Sequence, residues 1–466
     1  MLNYIWLAFL LIAVLVGGFT GKLPEMTKGA FETAETAVMK IALPLVGVMA
    51  IWLGVMRLAE RSGLVQVLAR ALRPLMIRLF PDVPAEHPAM GAMLMNMAAN
   101  MLGLGNAATP LGLRAMSLLD KLNPRPGVAS NAMCTFLAIN TASIQLVPTT
   151  AIGLLAIAGS KNATAIVPAA FLATCIAACS GVLSAKLLER LPMFRLPAGA
   201  PPPRETESLE RKEEEVAVEQ MAARPLTRDG RFFLILFTIC FVVMFVMLAF
   251  PDAVNAGLIW LQTNGKSAPR LDSIWLVPPL SAEMASRGPV IRSLFAVSIV
   301  AVPFLLSFFP LYAALRGVKV YEQFVEGAKE AFGVGQRIIP FLVAMLVAIR
   351  LLREAGVIDL MTKGLTPLFA AIHFPADLLP LVLMRPLSGS ATQGLFVELI
   401  NRLGPDTLVS RMAATIYGST ETTFYVIAVY FGSVAVRQTR HAIAAGLIAD
   451  SVAVIASITI CRLLFA

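Results

Sequence analysis

Arg57-Leu58-Ala59-Glu60-Arg61-Ser62-Gly63-Leu64, which runs on to Arg73-Pro74-Leu75, returns in the second half of the chain as Arg350-Leu351-Leu352-Arg353-Glu354-Ala355-Gly356-Val357, running on to Thr366-Pro367-Leu368. A shift of 293 positions maps one copy onto the other, from Phe31 on Phe324 through Pro74 on Pro367, and one inserted residue then aligns Phe80-Pro81 with Phe374-Pro375. Further on, with gaps, Gly105-Asn106-Ala107-Ala108-Thr109 falls near Gly389-Ser390-Ala391-Thr392, and Asn140-Thr141-Ala142-Ser143 near Gly418-Ser419-Thr420-Glu421. Both copies lead into apolar segments carrying Asn, Ser and Thr. Duplication of this kind is a common way of building membrane transporters.

Composition agrees with a membrane setting. The 466 residues are 58% hydrophobic and 14% charged, with mean hydropathy +0.77, whereas about 25% of residues are charged in a soluble domain. Eleven apolar segments stand out, near 3–20, 40–58, 88–117, 130–158, 163–187, 231–250, 292–315, 334–352, 378–400, 408–434 and 441–465. Most approach the roughly 20 residues that cross a bilayer. The net charge of +9 is dispersed through the connecting loops, which suits membrane topology and not nucleic-acid binding. The first segment, preceded by Met1-Leu2-Asn3, has no basic flank or small-residue cleavage site and is expected to be retained. Cys134, Cys175, Cys179, Cys240 and Cys461 lack C-x-x-C spacing, and His87, His373 and His441 are scattered, so neither a metal nor a disulfide is expected. No catalytic triad or nucleotide fingerprint is present, so the expectation is no enzyme and no cofactor.

The predicted fold is an all-α polytopic membrane protein with two inverted-topology repeats. Each has about four transmembrane helices and a re-entrant hairpin, and an extra transmembrane helix joins them. Repeat one covers 1–190 and repeat two 293–466; residues 191–292 hold a Pro-rich and charged linker, a helix at 231–250 and a loop with Trp260 and Trp275. Gly103-Leu104-Gly105-Asn106 with Pro110, and Arg385-Pro386-Leu387-Ser388-Gly389-Ser390, interrupt segments 88–117 and 378–400. Such backbone survives at membrane depth only against protein or a wet cavity. If each hairpin returns to its own side, each repeat crosses four times, and the single extra crossing turns the second copy over. Arg57 and Arg350 then lie on opposite faces.

Glu421, between Thr420 and Thr422, and Asp450, inside the last segment, are carboxylates at membrane depth. Such groups cost about 2.5–3.5 kcal/mol at a helix centre and face an interior or cavity, where they relay protons or bind cations. A protonated or paired structural carboxylate is the alternative. Arg385 is expected to meet Glu421 or an anionic solute group, or else to snorkel to the interface. Asn96 and Asn100, and Thr141 and Gln145, are four apart and would share a helical face. With Asn106, Thr109, Asn140, Ser388, Ser390, Thr392, Ser419, Thr420 and Tyr425 they form the candidate solute-binding set. Amides and hydroxyls offer donors and acceptors for a neutral polar solute or a dehydrated cation; they also serve as glue between membrane helices.

Residues 1–190 resemble spore maturation protein A through Phe80-Pro81-Asp82-Val83-Pro84, His87-Pro88-Ala89-Met90-Gly91, Asn96, Ala99-Asn100, Gly103 to Gly112 and Phe136-Leu137-Ala138-Ile139-Asn140-Thr141. Residues 293–466 resemble spore maturation protein B through Phe324-Val325-Glu326-Gly327, Arg385-Pro386-Leu387-Ser388-Gly389, Gly404-Pro405-Asp406 and Gly418-Ser419-Thr420-Glu421-Thr422-Thr423. The resemblance implies a fusion of two proteins that usually occur as a pair. Each carries the nucleoside-recognition or Gate domain, which is likened to parts of concentrative nucleoside transporters and of the ferrous iron transporter B. The expected function is an inner-membrane secondary transporter of a small polar solute, coupled to a proton or sodium ion. Its partners are the bilayer, the solute and that ion, with a homo-oligomer left open. The alternative is a non-transporting assembly or scaffold protein of the cell envelope or of spore maturation.

Overall fold

A computed structural model describes residues 2–103, 105–194, 225–250, 288–357 and 374–465. In chain order the first part holds α1 (Leu2–Phe19), α2 (Leu23–Thr36), α3 (Leu43–Arg61), α4 (Leu64–Leu79), α5 (Pro88–Met101), α6 (Gly105–Lys121), α7 (Asn131–Ala142), α8 (Thr149–Ile157) and α9 (Val167–Leu188). α10 (Arg228–Ala249) follows. The second part holds α11 (Pro289–Leu315), α12 (Val320–Glu354), α13 (Leu379–Met384), α14 (Gly389–Leu403), α15 (Leu408–Ser419), α16 (Thr423–Ser433) and α17 (Ala442–Phe465). Pro367, most of the linker, Trp260 and Trp275 lie outside the described residues.

The repeat seen in the sequence is also a repeat of local structure. α3 ends with the Ser62 N–H donating to Leu58 O at 2.9 Å and Gly63 N–H to Glu60 O at 3.1 Å; α12 ends with Ala355 N–H to Leu351 O at 3.0 Å and Gly356 N–H to Arg353 O at 2.8 Å. Gly63 and Gly356 both take left-handed backbone, φ +78° and +82°, which costs a residue without a Cβ little.

Among the described residues six helices are long and apolar enough to cross a membrane: Leu23–Arg61, Ala163–Leu188, Arg228–Ala249, Pro289–Leu315, Val320–Glu354 and Ala442–Phe465. Segments 88–117, 130–158, 378–400 and 408–434 are not continuous spans. Each is divided into two short helices. The segment at 40–58 belongs to a longer rod, because α2 joins α3 through a π-helical turn over Ala37–Ala42. Pro44 follows its end with one residue, Leu43, between, and a π-turn is one way for a helix to absorb a residue that has no N–H.

Two pairs of long helices pack as repeat mates, α2–α3 on α12 and α9 on α17. Gly29 lies against Arg350 and Glu354, Gly335 against Val46, Gly54 against Phe324, and Gly327 against Leu53. The numbers fall along one helix as they rise along the other, so α2–α3 and α12 are antiparallel. Arg57 at the far end bonds Glu330 at 2.8 Å and Gln323 at 3.4 Å, and is therefore at the opposite end of this pair from Arg350. α9 and α17 pair in the same sense through small residues: Gly181 faces Ala449, Ala177 and Ala178 cluster with Ala453, and Ala185 with Ala445. Small side chains let membrane helices approach closely and gain dispersion contacts.

α10 stands apart. Only 11% of its most apolar stretch is buried, and it leans on α11 through Phe237, Phe241, Phe304 and Phe308. The rest of its surface suits lipid.

Candidate functional site

Two broken helices lie against each other. α7 and α8 are separated by Ser143 to Pro148, and α15 and α16 by Thr420 to Thr422. α7 packs on α16, and α8 on α15, which places the two rods antiparallel with their breaks level. The Glu421 N–H donates to Thr141 O at 2.8 Å, binding one break to the other. Each break is also tied to the tip of its own hairpin: Leu146 N–H bonds Met101 O at 3.0 Å in the first part, and Phe424 N–H bonds Pro386 O at 3.0 Å in the second. Ser143 has φ +41°. A non-glycine residue held in left-handed backbone stores strain of order 1–3 kcal/mol, and such strain concentrates at functional sites.

A cavity of about 130 Å³ lies between the breaks, walled by Gln145, Pro148 and Thr150 from the first part and by Arg385, Tyr417 and Glu421 from the second. The first turns of α8 and α14 also border it, through Thr150 and Gly389, and unpaired N–H groups at helix starts favour electron-rich ligands. Arg385 is 5% exposed. Its Nε donates to Thr420 Oγ1 at 3.0 Å and its Nη2 to Tyr417 O at 3.0 Å and to Thr420 O. The guanidinium lies over the Tyr417 ring at 4.9 Å. Among the described residues no ion pair joins Arg385 to Glu421, although both face the cavity. Hydrogen bonds and ring stacking hold Arg385 inside, so it does not snorkel.

Beside the cavity runs an amide network. Asn100 Nδ2 donates to Asn140 Oδ1 at 2.9 Å, and the Tyr430 hydroxyl donates to the same oxygen at 3.3 Å. Asn96 Nδ2 donates to Ala108 O at 2.8 Å and reaches Tyr430 at 3.4 Å. Gly112 packs directly on the Tyr430 hydroxyl, a place where a Cβ would collide. Deeper, Asp450 Oδ2 accepts the Thr423 hydroxyl at 2.6 Å.

The sequence-selected residues therefore divide. Gln145, Arg385 and Glu421 meet at the cavity, and Ser388 caps α14 by accepting Ala391 N–H at 3.2 Å, with Ser390 3.4 Å away. Asn96 and Asn100 share a face of α5 and, with Asn140, form the network. Thr392 bonds back to Ser388 O, and Ser419 contacts Ser457, both as packing ties. Thr420 is spent on Arg385. Thr141 and Gln145 do not share a helical face, because the chain unwinds at Ser143 between them; Thr141 Oγ1 turns back to Ala138 O. Thr109 lies on α6 and is partly buried. Tyr425, on α16, which begins at Thr423, is 59% exposed and faces outward, away from the cavity set. The Asn106 side chain lies outside the described residues. Tyr430 and Tyr417 carry no signal in the sequence, since a ring in an apolar helix reads as packing.

Outside the spans, Asp406 and His441 both have shifted acidity. Burial pushes the Asp406 carboxyl up, but the Lys161 N–H and Ser160 hydroxyl, with the Arg411 and Lys161 charges, outweigh it and hold the group below its usual value. Burial, reinforced by Arg440 and Lys186, pushes His441 down to about 4.

A helical membrane protein with paired hairpins and paired broken helices is the class that fold and site define. The family model described as nucleoside recognition, Gate, matches it twice, over residues 42–161 and 336–437. Over 183 residues, 39% of the chain, it is 43% identical to spore maturation protein A of Bacillus subtilis (strain 168), covering 93% of that protein. Over 169 residues, 36% of the chain, it is 44% identical to spore maturation protein B of the same organism, covering 95%. The chain belongs to the spore maturation protein A and B family and joins an A-like half to a B-like half. No solved structure matches it. It is a multi-pass bacterial membrane protein.

Proposed function

We propose that the protein is a secondary transporter of the bacterial inner membrane that moves a small polar solute together with a proton or sodium ion. Its halves act as inverted repeats, with α5–α6 and α13–α14 as re-entrant hairpins entering from opposite faces and α10 supplying the odd crossing. The observation that carries this reading is a single cavity walled by the unwound stretches of both halves. Unwound backbone beside a cavity at the repeat interface is where such transporters bind their cargo. Arg385 and the starts of α8 and α14 face an electron-rich group of the solute, and Glu421 faces its donor or cationic side. At about 130 Å³ the cavity holds about four waters at roughly 30 Å³ each. That is below the roughly 300 Å³ at which pockets for drug-sized ligands begin, so a nucleoside-sized solute requires the site to open.

The test is uptake into lipid vesicles driven by an imposed proton or sodium gradient, with candidates chosen by thermal-shift screening against nucleosides, amino acids and cations. Glu421→Gln should stay in the membrane and lose ion-driven uptake; uptake equal to the unaltered protein rejects the role. The alternative is a non-transporting assembly protein, to which the relatives' spore-maturation names also point. It is favoured by polar groups that satisfy one another, as Asn100 with Asn140 and Ser419 with Ser457 do. A screen in which no solute stabilises the protein, or in which stabilisation survives Ser390→Ala and Arg385→Met, favours that alternative.

A further inference from the structure

Asp450 is 5% exposed on α17, and its Oδ1 has no hydrogen-bond partner among the described residues. Oδ2 has the Thr423 hydroxyl. An ionised carboxylate in such a place loses its hydration and regains one hydrogen bond, which leaves most of the cost of burying a charge uncompensated. The first half supplies an internal comparison. There Thr174 reaches from α9 to the break of its own half and donates to Ala142 O at 2.9 Å and Ser143 O at 3.0 Å. A neutral hydroxyl thus suffices to hold a last helix against a break. The carboxyl in the second half exceeds what the architecture requires.

The charged surroundings are few. Arg385 from the second hairpin and Glu421 from the break act on Asp450 electrostatically. α7 carries no charged residue. Arg411 of α15 lies over Phe465 at the far end of α17, and Lys186 and Glu189 pair at 3.6 Å at the other end, beyond Ala445. α16 brings Tyr430, which is engaged with Asn140, and Tyr425, which faces outward. One guanidinium and two carboxyls sum to a single negative charge, and one proton brings the group to neutrality.

We propose that Asp450 is a proton-binding site of this protein, protonated in the state described here, so that the coupling ion of the transport reading above is a proton. Release breaks the carboxyl O–H bond; the proton leaves to water, and the electron pair stays on a carboxylate held by the Thr423 hydroxyl and balanced by Arg385. A dehydrated cation needs several oxygen ligands, and among the described residues Thr423 is the one side chain bonded to Asp450.

Infrared spectroscopy of the full chain in phosphatidylethanolamine–phosphatidylglycerol vesicles tests this without any solute. At pH 7 the C=O stretch of a protonated carboxyl should be present, should vanish in Asp450→Asn, and should shift in Thr423→Val. No such band at pH 7, a band unchanged in Asp450→Asn, or a band abolished when sodium chloride replaces potassium chloride overturns the assignment. If Asp450→Asn fails to reach the membrane, Thr423→Val decides, since a band that does not move there is not Asp450. A protein that shows the band but transports nothing overturns the transport reading alone.

Discussion

Asn140 Oδ1 accepts from Asn100 and from Tyr430, two donors on two other helices. Replacing it with Ala leaves both without that acceptor, and a buried polar group stripped of its partner costs about 1–3 kcal/mol. Asn140→Ala should therefore lower the thermal midpoint in detergent, while Tyr425→Ala, exposed on the outer face, should stay within about 0.5 kcal/mol of the unaltered protein. The asparagines were legible because an amide in an apolar segment is conspicuous; their phenolic partner was not, because hydrogen bonding by a ring shows only when the helices are assembled. The same holds for Arg385, whose acceptors Thr420 and Tyr417 O come from a different element. Acidity gives a second residue-scale prediction. His441 sits at about 4 in the folded protein against about 6.5 unfolded, so the unfolded chain binds the extra proton first. Its contribution is complete above about pH 6.5 and is lost as pH falls toward about 4. Asp406, also depressed, contributes above its unfolded value of about 3.9 and loses that contribution at lower pH still. Midpoints recorded from pH 7.5 to pH 5 should fall, and His441→Gln should flatten the slope.

Helix pairing depends on what glycine omits. A Cβ on Gly327 would stand 2.5 Å from Leu53 O, and one on Gly54 2.7 Å from the Phe324 ring. Backbone cannot swing aside as a side-chain end can, so Gly327→Ala should separate α3 from α12 and cost about 1–3 kcal/mol or more, read as a lower unfolding midpoint. At the other end of the same pair Arg353 bonds Glu398 of α14, beside a cavity of about 510 Å³ that Arg350 and Arg402 also line. Arg353→Glu and Glu398→Arg should each destabilise, and the double exchange should recover about 0.5–3 kcal/mol of coupling in a thermal double-mutant cycle. Hydropathy located these elements but not their interruptions. It read 130–158 and 408–434 as single spans because Gln145 and Glu421 stand among residues that are mostly apolar or small, and unwinding there is stabilised by bonds to other helices, such as Leu146 to Met101 and Phe424 to Pro386.

At the scale of the molecule, loops gather at two ends. Arg437 N–H bonds Gly127 O at 2.8 Å at one, and Ser160 and Lys161 bond Asp406 at 2.7 and 3.0 Å at the other. In a background without the five cysteines, Arg437→Cys and Lys161→Cys should react with an impermeant maleimide from opposite sides of sealed vesicles. Reaction from the same side would refute the inverted arrangement. The repeat made this much of the fold legible, because a shift of 293 positions maps Gly63 onto Gly356, and both end their helices in the same way. That α3 pairs with α12 and α9 with α17 needed coordinates. Since α3 packs on α12 and α9 on α17, each half buries its principal helices against the other and neither completes an interior by itself. Continuity of the polypeptide thereby fixes supply at one to one: a ribosome that finishes the chain has delivered both mates together, and no surplus half is left in the bilayer to seek a foreign neighbour.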